Sequence, residues 1–176
     1  MSPERGFPFV SGHEPEFLIL GSFPGERSLE ERQYYAHPRN TFWKIMETLF
    51  DPASDGSYER RLQMIRLNRL ALWDVLLSCE RPGSMDGSII EKGAVPNDLD
   101  SFFRDHPTVR IICFNGQKAE KLFRRLVLPG LSWLPQSITQ KTLPSTSPAY
   151  ASLNLPEKAA KWALALGVAD PSGHLE

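Results

Sequence analysis

Apolar residues recur along this chain at two spacings. Short unbroken runs stand at EFLILG (16–21), at the start of LALWDVLLSC (70–79) and at VRIICF (109–114). Their length and their flanking Gly, Asn or charged residues predict buried strands. Between them the apolar positions follow the i, i+3, i+4, i+7 rule. Phe42, Ile45, Met46 and Leu49 predict an amphipathic helix over 41–50. Ser57 caps a second over 58–68, PNDLDSFFRDH carries another with Phe102 and Phe103 inward, and 117–126 forms one after VRIICF. QSITQKTLP (136–144) predicts a fourth strand, less apolar and so nearer a sheet edge. Asn154, Pro156 and Gly167 mark the cap, first turn and stop of a last helix. Ser28 and Glu31 have capping-box spacing, so SLEERQ reads as a short helical turn, whereas ERPGSMDGSI reads as a loop.

Strands separated by helices imply right-handed crossovers and a mostly parallel four-stranded sheet with helices on both faces, a three-layer α/β/α sandwich. Ligands of such folds bind beyond the carboxyl ends of the strands. That rule selects GSFPG, WDVLLS, NGQ and LPSTSPA. The 176 residues fit one domain, taken as 1–170, followed by a C-terminal tail over 171–176.

Composition narrows the function classes. Apolar and charged fractions of 41% and 23% are those of a soluble globular protein, and no apolar run reaches the roughly 18–20 residues of a membrane span. The N-terminus lacks the pattern of a secretory signal, and Cys79 and Cys113 sit in apolar runs as buried free thiols, which points weakly to the cytoplasm. A net charge of −1 does not advertise nucleic-acid binding and does not exclude it. Arg60, Arg61, Arg66 and Arg69 read as a solvated helix face rather than a nucleic-acid track. Dinucleotide, P-loop, serine-hydrolase and zinc signatures are missing from the sequence.

Three segments, GSFPGERS, YYAHPRNTFWKI and LPSTSPAYA, resemble the uracil-DNA glycosylase superfamily, and most of all its hypoxanthine (deoxyinosine) DNA glycosylase family. The middle segment is also similar to the mismatch-specific uracil enzymes. The resemblance runs from about Phe17 to Trp162. It implies a monofunctional enzyme without cofactor or metal, acting as a monomer on DNA that carries a deaminated base. The base is flipped into a pocket and its N-glycosidic bond hydrolysed. Other readings are a relative preferring uracil, xanthine or mismatches, a catalytically silent DNA-binding member, or an unrelated nucleotide-processing enzyme.

The resemblance also assigns roles. Phe23 stands where the superfamily often has a water-positioning side chain, and Leu143 where uracil enzymes have histidine. The first leaves the usual water activator missing, and the second disfavours uracil. The asparagine that takes over in the hypoxanthine family matches Asn40, which on residue type alone reads as a helix cap. Gly21, Ser22, Phe23 and Tyr35 are implied pocket residues, with Tyr35 as the stacking platform, although aromatics also fill cores. Asp74, if ionised, suits a donor such as N1–H of hypoxanthine; a structural hydrogen bond is the alternative. Ser145, Thr146 and Ser147 are expected to touch DNA, unless they form a plain surface loop. Gly116, Gln117 and Lys118 open a helix whose free N–H groups suit a phosphate.

Overall fold

The computed structural model describes residues 3–132 and 137–169. Within them the strands form two sheets. Two short pieces, β1 (Glu4–Arg5) and β2 (Val10–Ser11), precede β3 (Phe17–Gly21). Then come β4 (Leu70–Asp74), β5 (Leu76–Glu80), β6 (Ile90–Pro96), β7 (Ile111–Asn115) and β8 (Thr139–Leu143). The main sheet has the order β2-β4-β3-β7-β8; β4, β3, β7 and β8 run parallel, and β2 closes one edge antiparallel. The expected parallel core is therefore present, with β8 at an edge. The expected tail, and Gln136 at the start of the fourth predicted strand, lie outside the described residues.

Side chains of a strand alternate between its faces, and here both faces are apolar. Leu18, Leu20, Ala71, Trp73, Ile112 and Phe114 pack on one side against α4 (Leu99–Asp105) and α5 (Gln117–Leu122). Ile19, Leu70, Leu72 and Cys113 pack on the other, against α2 (Phe42–Phe50), α3 (Tyr58–Leu67) and α6 (Leu155–Leu166). Three layers result. Cys79 and Cys113 are free and buried. Arg60, Arg61 and Arg69 form ion pairs with Asp51, Glu47 and Glu16.

Local signals held where they were strong. Ser57 accepts from the Arg60 N–H, and Asn154 with Glu157 completes a capping box at α6. The capping box expected at Ser28 is not there. The first helix, α1 (Glu26–Glu31), starts earlier, with Gly25 at its N-cap, and Ser28 is buried inside it, accepting from the Ala36 N–H. The helix predicted over 117–126 ends at Leu122 and continues as a wider π-helical turn over Phe123–Val127. No strand is predicted where β6 lies; its residues alternate poorly and include Gly93 and Pro96.

The run over 70–79 becomes two strands in two sheets. β4 ends at Asp74, and β5 pairs antiparallel with β1 and β6. At the changeover the Val75 and Leu76 N–H groups donate to the carbonyls of Gly21 and Ser22, at 2.8 and 3.1 Å. Buried Asn97 holds the other side: its Nδ2 donates to the Asp74 carbonyl at 2.8 Å. This exit is what stops β4 at Asp74 and leaves its side chain at the sheet's end. Asn97→Ala removes the donor from a buried carbonyl and should lower stability by about 1–3 kcal/mol in urea unfolding. A change below about 0.3 kcal/mol would show that the exit does not need this bond.

Candidate active site

The chain leaves β3 toward β4 and later passes back across it to β7, so the ends of these strands diverge at a crevice. A cavity of about 610 Å³ opens there, lined from all four places the strand-end rule selects, among them Gly21, Asp74, Asn115 and Ser145.

Asp74 lies at the floor. It is 4% exposed, and its Oδ2 has no hydrogen-bond partner. Gly21, its neighbour in register on β3, is a spatial necessity: a β-carbon there would fall 2.4 Å from Asp74 Oδ1 and 3.0 Å from Tyr35 Oη. Burial, and after it the charge of Asp86, pushes the Asp74 carboxyl up to about 7 against the pull of Arg81. The ionised acceptor expected from residue type is thus only half the picture. Near neutrality the group is also a neutral acid, able to donate as well as accept.

Tyr35 stands beside it with a left-handed backbone (φ +54°), unusual for an aromatic residue. Its hydroxyl is buried without a partner. Burial, then the Asp74 charge, raises its pKa, so it remains a donor. One face of its ring is stacked on Phe42 at 4.1 Å, so a base must use the other face or the hydroxyl. Phe23 borders the cavity, yet its ring is 5% exposed and packs in the core beneath the Arg81 guanidinium. It anchors the loop more than it offers a stacking wall.

Asn40 lines the cavity wall. Its Oδ1 accepts from the Phe42 N–H at 2.9 Å, just ahead of the geometric N-cap, Thr41. A backbone donor can only meet the carbonyl end of the amide, which fixes its orientation. The amino end has no partner among the described residues and is the end left for a ligand. Both readings of this residue therefore have a physical basis in one side chain.

The motif after β8 is tied down from within. Thr146 is wholly buried; its hydroxyl accepts from Asn115 Nδ2, and its N–H donates to Asn115 Oδ1, each at 2.9 Å. Its carbonyl in turn accepts from the Thr41 N–H at 3.0 Å. Thr146 is thus a clasp within the motif. Ser145, Thr146 and Ser147 all line the cavity, and the Ser145 and Ser147 hydroxyls accept from the N–H groups of Ser147 and Ala149. Gly116, Gln117 and Lys118 do not line it. Gly116 is buried against Ser145, and Lys118 Nζ donates to Glu91 at 2.8 Å, so its charge is already matched. Leu143 is buried and puts no polar group near a leaving base.

Sequence reasoning missed Asp86, whose Oδ1 accepts from Ser22 Oγ at 2.5 Å across 64 residues of sequence. It missed Arg81 as well, buried and donating to the carbonyls of Phe23 and Pro24. Both flank or occupy a Gly/Ser-rich loop, where nothing in the spacing points back to β3.

A doubly wound sheet whose strand ends open on a pocket holding a buried acid is the place where such folds bind ligands. The comparisons with known proteins name the family: residues 7–166 match the uracil DNA glycosylase superfamily, and the chain belongs to it. A protein of Methanosarcina acetivorans named hypoxanthine DNA glycosylase is 37% identical over 82% of this chain and 86% of its own. One of the same name from Methanosarcina barkeri is 34% identical over 66% of this chain and 73% of its own. The solution NMR structure of a candidate uracil DNA glycosylase from M. acetivorans superposes with a TM-score of 0.74 at 33% identity, over 94% of this chain and 97% of that one. Among the described residues no helix is long and apolar enough to cross a membrane.

Two outcomes follow from the floor. Gly21→Ala forces the Asp74 carboxyl aside and should abolish activity while the protein still folds; retained activity would show that the carboxyl need not lie there. A carboxyl raised on folding binds its proton more tightly in the folded chain, so stability falls as pH rises from about 4 to about 7. Asp74→Asn lacks this loss. Its unfolding free energy relative to the parent should rise by a few kcal/mol between pH 4 and pH 8. A difference that does not vary with pH would mean an ordinary carboxyl.

Proposed function

We propose that this protein is a monofunctional DNA glycosylase that excises hypoxanthine from deoxyinosine, acting as a monomer in the cytoplasm. The observation that carries the reading is the Asp74 carboxyl, buried at the cavity floor with an unpartnered oxygen. The names of the relatives support it.

Flipping a nucleotide out of a duplex costs a few kcal/mol, which contacts in the pocket must return. Hypoxanthine offers N1–H as donor and O6 and N7 as acceptors. Ionised Asp74 accepts from N1–H; neutral Asp74 donates to O6 or N7. The second form matters for bond breaking. With Leu143 where a histidine would stabilise an anion, the base leaves as a neutral purine once Asp74 has given it a proton. The Tyr35 hydroxyl is a further donor on the same floor. Among the described residues no lysine lines the cavity, so water rather than an amine attacks the sugar, and no Schiff base forms. The amino end of Asn40 holds that water by its oxygen. Arg39 and His37 at the mouth suit the flanking phosphates.

A duplex with one deoxyinosine, treated with the protein and then with alkali, should be cleaved at that site; no excess over buffer would refute the reading. Asn40→Asp keeps the acceptor for the Phe42 N–H and replaces the amino donor with a charged acceptor oxygen. Its excision rate should fall on the order of 10²-fold with little change in Tm. Asn40→Ala should lose a similar rate and about 1 kcal/mol of stability as well. A near-normal rate for Asn40→Asp would leave Asn40 as a cap alone.

A further inference from the structure

The hydrolysis proposed above leaves one proton unplaced. A water that bonds to the sugar must lose a proton, and the group that accepts it must be an acceptor. The amino end of Asn40 only donates. Phe23, at the position that often carries the water-positioning side chain, is a core residue. Asp74 sits at the floor, against the base edge.

We propose that Asp86 takes the proton of the attacking water, supplying from a separate loop the carboxylate that position 23 does not provide. This deepens the deoxyinosine reading and rests on it.

Four observations converge. Asp86 lines the same cavity as Asp74 and is less buried than it. Asp74 is 4% exposed, whereas Asp86 begins a short 3-10 turn (Asp86–Ser88) between exposed Met85 and Gly87. A base entering edge-first to Asp74 leaves its sugar at that shallower level. Ser22 Oγ donates to Asp86 Oδ1 at 2.5 Å, which fixes the carboxylate against the residue next to Phe23. Oδ2 has no hydrogen-bond partner among the described residues, so one oxygen is held and the other is available. The surrounding charges also suit a base. Burial raises the Asp86 pKa, while the Ser22 hydrogen bond and the charges of Arg81 and Lys118 restrain the rise. Asp74 is the acidic neighbour, and Arg27, Arg39 and His37 are the basic groups at the mouth.

The step balances. The water oxygen bonds to C1′ as the C1′–N9 bond breaks, and the electron pair of that bond stays on the base. The base leaves as neutral hypoxanthine with the proton from Asp74. The water's proton goes to Asp86. Exchange with solvent then restores a neutral Asp74 and an ionised Asp86. The division of labour is that of an acid and a base on two sides of one glycosidic bond.

The test compares single-turnover excision by the parent and Asp86 variants on duplexes carrying deoxyinosine, deoxyuridine or deoxyxanthosine. Affinity is measured on the uncleavable 2′-fluoro analogue of the base that the parent releases. Asp86→Asn should lose on the order of 10²-fold in rate and about threefold or less in affinity. Added formate should restore part of the rate of Asp86→Ala, since it supplies a carboxylate to the space left. An Asp86→Asn rate within about threefold of the parent, a loss matched by an equal loss of affinity, or no effect of formate overturns the proposal. Loss of affinity would make Asp86 a loop anchor through Ser22. A parent that releases uracil or xanthine but not hypoxanthine overturns the deoxyinosine reading alone, and Asp86 is then judged on the base released. A parent that releases no base overturns both.

Discussion

The site depends on one close approach: the ends of two parallel strands bring Gly21 against Asp74 with no room for a β-carbon between them. The carboxyl is thereby held at the sheet's end, out of water, with one oxygen unpaired. A buried carboxyl in that condition favours its neutral form, which is a cost to folding and an asset to an acid catalyst. The rest of the local architecture maintains the position. The Gly21 and Ser22 carbonyls take the first N–H groups of the departing chain, and Asn97 takes the Asp74 carbonyl.

A second linkage ties the far wall to the floor. Asn115, at the end of β7, grips Thr146 through two hydrogen bonds, and Thr146 receives the Thr41 N–H at the start of α2. Asn40 is the residue before Thr41, and its amide is fixed by the Phe42 N–H. The loop after β8 and the entry of α2 therefore keep one register with the strand ends. A side chain that must meet a sugar within a few tenths of an ångström needs such support. The left-handed backbone of Tyr35, on the approach to this helix, belongs to the same arrangement.

How much of this is legible in the sequence follows from the range of each interaction. The helix at Phe42, Ile45 and Met46 and the cap at Asn154 are local patterns, and both stand as read. The parallel order of four strands follows from their alternation with helices. The split at Val75 does not, because a residue buried in either sheet is equally apolar. The clasp at Thr146 is hidden for a related reason: a small hydroxyl between prolines looks the same whether or not it also holds Asn115. Asn40 carries both a cap and a free amide, so its two readings never competed for the same atoms. Asp86 is invisible because its partner, Ser22, is 64 residues away and its own neighbours are those of a linker.

The proposed reaction requires a neutral Asp74 at the moment the base departs. The direct measurement is the single-turnover excision rate of the parent on a deoxyinosine duplex as a function of pH. A proton-bearing Asp74 predicts a rate that falls as pH rises through about 7, with tenfold loss per unit beyond it. A rate that stays level or climbs from pH 6 to pH 9 would contradict it.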